Sequence, residues 1–249
     1  MVGGPEPDYR ERDARSVRGR IDIERRERLR ALEASYDRIA AIYDSLHDSP
    51  AAESENRWLA DDLRPIVRGR IMDIGCGTGL LLHLLDLDPN RYVGIDLSDG
   101  MLAEAKRRYP RHRFVHADAH EAIESVTPRH SIDTIVVLFT FHVLDGPRAL
   151  VAMRNAIAEG GTVYVIVTTP LHALAPCACH DYDAPGIVSL YSEEDARSLF
   201  SHYFHGVEVR PLPSEGQDGH YLIVTGRGRF YRDVNGERPW FGPGGPPAP

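Results

Sequence analysis

The chain has 249 residues, 42% of them hydrophobic, and carries a formal net charge of −8 at pH 7. That length suits one well-cored domain with appendages, and the acidic balance supplies no basic field to attract the phosphates of a nucleic acid. No apolar run is long enough to span a bilayer and the start has no apolar targeting core. The three cysteines, Cys76, Cys177 and Cys179, form no even disulfide framework, so a reducing cytoplasm is the expected setting.

Residues 1–20 alternate Arg with Asp and Glu around Gly and Pro, a composition that predicts a disordered arm. Residues 21–68 are expected to hold N-terminal helices. Helix-forming composition starts at Ile21 and continues to about Ala34. From Ser35 to Asp44, the residues Tyr36, Ile39 and Tyr43 share one helical face by their spacing. A further helix is predicted over about 53–67. The short apolar run from Arg70 to Ile74 then reads as a buried strand, and Leu80 to Leu85 as the opening turns of a helix.

Between that strand and that helix stand Gly75, Gly77 and Gly79. A strand turning sharply into a helix leaves backbone N–H groups without partners, and glycines remove the side chains that would keep a ligand away from them. A dinucleotide turn requires G-x-G-x-x-G/A, whose third small residue lets helix and strand pack closely. Here that position is Leu80. The pattern is instead D-x-G-x-G-x-G, with Asp73 ahead of the glycines. An acid at that strand end suits a ligand bearing a cation, such as an amino acid ammonium. After a second apolar run, Tyr92 to Ile95, comes Asp96, whose carboxylate can accept hydrogen bonds from both hydroxyls of a ribose.

With these residues in hand, the chain resembles a class I S-adenosylmethionine-dependent methyltransferase, over roughly residues 35–228. Phe114-Val-His-Ala-Asp118-Ala119 resembles the third-strand motif. Ile132 to Leu138 resembles the fourth strand, followed by Phe139-Thr-Phe-His142. Glu159 to Ile166 resembles the turn and fifth strand, and Val207–Val209 and Tyr221–Thr225 resemble the sixth and seventh. The fold implied is α/β: a doubly wound, Rossmann-like, seven-stranded and mostly parallel sheet over residues 69–228. Helices cover both faces, and the N-terminal helical segment forms a lid. A Gly/Pro-rich tail from 229 to 249 is expected to be mobile.

The resemblance also implies a site at the carboxyl ends of the strands, holding S-adenosyl-L-methionine. Asp73 with Gly75, Cys76, Gly77 and Gly79 would take the methionine part, Asp96 the ribose, and Asp118 with Ala119 the adenine. Leu97, Met101 and Leu138 would supply apolar contact, although helix packing alone would also account for Leu97 and Met101. In the lid, Tyr43 is expected to touch the donor and Tyr36 either the acceptor or the core. His142 is the candidate catalytic residue, with a structural histidine as the other reading.

Residues 168–190 are where the family often builds its acceptor pocket. His172, His180, Asp181 and Tyr182 are the candidates there. A metal is not expected, because Cys177-x-Cys179 is tighter than structural zinc spacing and no second cysteine pair exists. Ser192-Glu-Glu-Asp195 reads as the cap and first turn of a helix. The acceptor is expected to be a small molecule, in bacterial specialised metabolism, with neither nucleic acid nor membrane as partner. Two other classes stay open: non-methyl chemistry on the same donor, by aminocarboxypropyl transfer or cyclisation, and a binder without catalysis.

Overall fold

The computed structural model describes residues 9–172, 189–213 and 219–228. Helix α1 runs without interruption from Tyr9 to Ile39. The helix takes in residues 9–20, where the composition predicts an arm. No proline intervenes between Pro7 and Pro50, and Arg and Glu are good helix formers, so charge alternation here does not oppose the helix. After the short α2 (Tyr43–Leu46) comes α3 (Pro50–Leu63), which starts and stops earlier than its composition suggests. Ser49 accepts a hydrogen bond from the Ala52 N–H at 3.1 Å and Pro50 opens the helix. Arg64 at the end keeps helical φ and ψ of −52° and −44°, and Pro65, which has no N–H to donate, ends the helical hydrogen bonding.

Strands β1 (Ile71–Ile74), β2 (Tyr92–Asp96), β3 (Arg113–His116), β4 (Ile132–Val137), β5 (Ile157–Thr168), β6 (His205–Pro211) and β7 (Tyr221–Arg227) form one seven-stranded sheet in the order β3-β2-β1-β4-β5-β7-β6. The first five are parallel, and β7 is antiparallel to both β5 and β6. From β1 the chain steps outward through α4 (Leu80–Leu84), α5 (Asp99–Arg108) and α6 (Ala119–Val126), then returns to place β4 on the other side of β1. That reversal opens a crevice at the carboxyl ends of β1 and β4.

The period-2 alternation of the strands divides the core into two layers. One contains Met72, Ile74, Ile95, Val137 and Val165, and is covered by Ile123 of α6, Leu150 and Met153 of α7 (Gly146–Ala156), and Phe200 of α8 (Glu193–Ser201). The other contains Ile71, Val136, Tyr164 and Ile166, covered by Leu59 and Leu63 of α3 and Leu81 of α4. Helix α3 therefore belongs to the core of the sheet. Its Asp62 accepts a hydrogen bond from the buried Tyr164 hydroxyl at 2.8 Å and pairs with Arg210 of β6 at 2.5 Å. Arg210 also lies 5.3 Å over the Trp58 ring.

This junction carries a prediction. Asp62→Ala should lower stability by about 1.5–3 kcal/mol, the range for hydrogen bonds to charged groups, and Tyr164→Phe by about 1 kcal/mol. Urea denaturation of both variants and the double mutant should give less than the sum, because the two changes remove the same bond.

Candidate active site

The crevice is organised by the turn after β1. Gly75, Gly77 and Gly79 have φ of 69°, 52° and 99°, left-handed values that L side chains rarely adopt. The Ile95 carbonyl at the end of β2 accepts from the Gly75 and Cys76 N–H groups at 2.8 and 3.1 Å. One oxygen of Asp96 accepts from the Gly77 N–H at 2.8 Å and the other from the Ser98 N–H at 2.9 Å. Each oxygen keeps a further lone pair for another donor. A Cβ added to Gly77 would meet nothing within 4 Å, so this backbone faces open space. At Gly75 a Cβ would strike the Thr140 side chain, with its nearest atom at 2.2 Å.

A cavity lies above this turn. Its floor is Gly75, Cys76, Gly77 and Thr78, and the β2–α5 side contributes Asp96, Leu97, Ser98 and Met101. Asp118, Ala119 and His120 stand at the far end. Leu138, Phe139, Thr140, Val143 and Leu144 form the β4 side, and Leu29, Leu32, Glu33, Tyr36 and Tyr43 roof it. Polar contacts fix the roof at several points. Arg25 reaches Asp118 at 2.5 Å, Glu33 meets His116 at 3.1 Å, and Asp37 accepts from the Ser98 hydroxyl at 2.6 Å and the Gly100 N–H at 2.9 Å. Asp44 accepts from the Thr78 hydroxyl at 2.6 Å and pairs with Arg108. Ile39, Ala40 and Met101 form a small apolar cluster with Tyr36 and Tyr43 at its edge.

The carboxylates differ in electrostatic state. Burial pushes Asp96 up, against the pull of the Ser98, Gly77 and Leu97 N–H groups. Burial also raises Asp118, but hydrogen bonds from His120 and the charges of His120 and Arg25 outweigh it and hold that carboxyl below its ordinary value. Asp73 is pushed up to about 7, mainly by burial, with the Tyr92 hydroxyl opposing and Asp96 adding to the rise. Burial, then Asp96 and Asp73, raises the Cys76 thiol well above its usual range, so Cys76 is a neutral wall rather than a nucleophile.

Among the sequence candidates, the cavity brings together Tyr36, Tyr43, Gly75, Cys76, Gly77, Asp96, Leu97, Met101, Asp118, Ala119 and Leu138. Asp73 and Gly79 do not line it. Asp73 is 2% exposed and accepts the Tyr92 hydroxyl hydrogen bond at 2.9 Å. His142 is also outside the lining. The 3₁₀ turn Phe141–Val143 buries Phe141 in the core and gives Val143 to the cavity, while the His142 carbonyl accepts from the Ser189 N–H at 2.7 Å. His172 lies against Tyr221, outside the lining. His180, Asp181 and Tyr182, like Cys177 and Cys179, lie outside the described residues, as does the tail from 229. Among the described residues no cluster of His, Cys, Asp or Glu could hold a metal ion, and no helix is long and apolar enough to cross a membrane.

Sequence reasoning missed Arg25, His120, Phe139 and Thr140. Arg25 and His120 show no local signal, because their contact joins residues far apart in the chain. Phe139 and Thr140 directly follow the fourth strand, where any side chain borders the crevice.

Residues 71–161 match the family model described as a methyltransferase domain. The chain is similar to the demethylmenaquinone methyltransferase of Clavibacter sepedonicus, at 26% identity over 174 residues, covering 64% of this chain and 68% of that one. It is 32% identical over 126 residues to the trans-aconitate 2-methyltransferase of Acidovorax sp. (strain JS42), spanning 49% of this chain and 45% of that protein. In fold it resembles a Thermotoga maritima S-adenosylmethionine-dependent methyltransferase described as a possible histamine N-methyltransferase. The TM-score is 0.61 at 17% identity, over 80% of this chain and all of that one.

Two outcomes are expected from the turn. Gly77→Ala should abolish ligand binding in calorimetry more than it lowers stability, whereas Gly75→Ala should cost stability on the order of 1–3 kcal/mol because its Cβ also collides with Thr140. As for pH, the folded state holds the Asp73 proton more tightly than the unfolded chain, whose Asp has its ordinary value of 3.8. Its contribution to stability is therefore complete below that value and is lost as pH rises through about 7. Denaturant unfolding at about pH 5 and about pH 8 should show the protein less stable at the higher pH, and Asp73→Asn should flatten that difference.

Proposed function

We propose that this chain, which belongs to the class I S-adenosylmethionine-dependent methyltransferases, transfers the donor's methyl group to a small-molecule acceptor. The observation that carries this reading is the convergence of the Gly75–Gly77 turn, Asp96 and Asp118 on one cavity. The site fits the donor on its own terms. Open backbone at Gly77 leaves space for the methionine part beside Thr78. Asp96, already oriented by two N–H groups, has lone pairs left for a ribose. Asp118 is held ionised: its Oδ1 meets the His120 N–H and Nδ1, and its Oδ2, which pairs with Arg25, keeps a lone pair that can accept from an adenine amino group. Leu97, Met101 and Leu138 offer apolar walls, and the rings of Tyr36 and Tyr43 offer faces that attract a sulfonium cation.

When bound, the sulfonium supplies an electrophilic methyl group. The protein then has to align and enclose, and alignment alone can be worth about 7–11 kcal/mol at its upper limit. The roof formed by Leu29, Leu32, Tyr36 and Tyr43 excludes water from above, and the turn fixes the donor end from below. Asp73, braced by Tyr92, acts through the turn as a positioning residue. The small-molecule acceptor is supported by the acidic chain and by the demethylmenaquinone and trans-aconitate methyltransferases it resembles. The proposal extends to a bacterial cytoplasmic enzyme of specialised metabolism, a setting in which the buried free thiol of Cys76 stays reduced.

Product analysis tests the chemistry: S-adenosylhomocysteine should accumulate, and methylthioadenosine in its place would overturn methyl transfer. Asp96→Asn keeps one acceptor oxygen for the turn but loses half of the ribose site. It should weaken S-adenosylmethionine binding about tenfold or more in calorimetry, and lower stability by about 1–3 kcal/mol because the amide NH2 faces one of the two turn N–H groups.

A further inference from the structure

Phe139, on the β4 side of the cavity, belongs to a group of aromatic rings that the donor reading does not use. Because β7 runs antiparallel to β5, with Tyr221 opposite Thr168, the start of β7 lies at the same edge as the ends of β4 and β5. Phe139 follows β4, His172 follows β5, and His220 and Tyr221 open β7, so three separate connections meet there. The Phe139 and Tyr221 rings stand edge to face, 5.1 Å apart at 81°. His172 lies 4.9 Å from Tyr221 at 43° and 5.9 Å from His220 at 76°. All four residues are half-buried, neither sealed in the core nor free on the surface.

Phe139 is held at φ 54°, in the left-handed region. A bulky residue there costs on the order of 1–2 kcal/mol, yet Phe139 stays, with its ring against Tyr221 and its residue in the cavity lining. The neighbouring lining, Leu138, Val143 and Leu144, is apolar. His220 adds a polar element: its Nδ1 is buried and has no hydrogen-bond partner among the described residues. Stacked and edge-on rings reward a flat π system over a puckered one of similar size. A buried imidazole nitrogen rewards a hydroxyl placed beside it.

We propose that Phe139, His172, His220 and Tyr221 form the acceptor wall, and that they select a flat, hydroxylated aromatic ring. The assignment rests on the donor reading above and adds the substrate class. Its test is calorimetry on the full chain saturated with S-adenosylhomocysteine, using 2-naphthol as the flat probe and decahydro-2-naphthol as its saturated counterpart. The flat probe should bind at least about tenfold more tightly, a difference of about 1.4 kcal/mol. Tyr221→Leu should erase most of that preference, Tyr221→Phe should retain it within about threefold, and His220→Ala should weaken 2-naphthol about threefold or more. His220→Ala also serves as the independent variant if Tyr221→Leu does not fold. Equal binding of the two probes, no binding of 2-naphthol, or indifference to both Tyr221→Leu and His220→Ala would overturn the wall. Titration of S-adenosylhomocysteine alone separates the two readings. A protein that takes it but not 2-naphthol refutes only the acceptor wall, and one that does not take it refutes the donor site.

Discussion

The end of β2 holds the site together. Its last two residues use a backbone carbonyl and a carboxylate to collect the N–H groups of Gly75, Cys76, Gly77 and Ser98. A turn with three left-handed residues would otherwise leave those donors unpaired beside a buried strand, at a cost of about 1–3 kcal/mol each. The tie works only because β2 lies next to β1 in parallel register, with Ile74 opposite Ile95. Sheet topology and cavity floor are thus one constraint. The same carboxylate that shapes the turn is the one best placed to meet a ribose.

Two kinds of force act on the two sides of that floor. Beneath it, the fully buried Met72, Ile74, Ile95 and Val136 belong to layers where each large side chain contributes about 1.5–3 kcal/mol. Above it, helices α1 and α2 bury a few side chains, Leu32 and Ile39 among them, and add part-exposed polar contacts from Arg25, Glu33, Asp37 and Asp44, a class of interaction worth about 0–1 kcal/mol per exposed pair. The floor is therefore rigid by comparison with the roof.

The sheet was legible because its strands are short apolar runs ended by chemically distinctive residues, and Asp96 and the glycines announce their backbone work locally. The alternation of Glu and Arg at residues 9–20 is ambiguous by itself, since the same composition serves a charged helix and a disordered arm. Asp73 was legible on its strand, but its partner was not. Its partner is Tyr92, and only the pairing of β1 with β2 brings the phenol to the carboxylate. At His142 the 3₁₀ turn buries Phe141 and gives Val143 to the cavity lining, a placement with no local sequence signal. Arg25 could not be read at all, because a cation 93 residues away from its acid leaves no spacing to recognise.

Thr140 joins the two halves of the cavity. Its side chain fills the space that a Cβ on Gly75 would need, and its hydroxyl donates to the Gly75 carbonyl at 3.2 Å. It also belongs to the segment after β4 that borders the proposed acceptor wall. The loop that would have to change to accommodate a new acceptor is therefore also a buttress of the donor turn. Grafting a different β4 loop onto this scaffold means carrying over a small side chain at position 140, or redesigning both ends of the reaction at once.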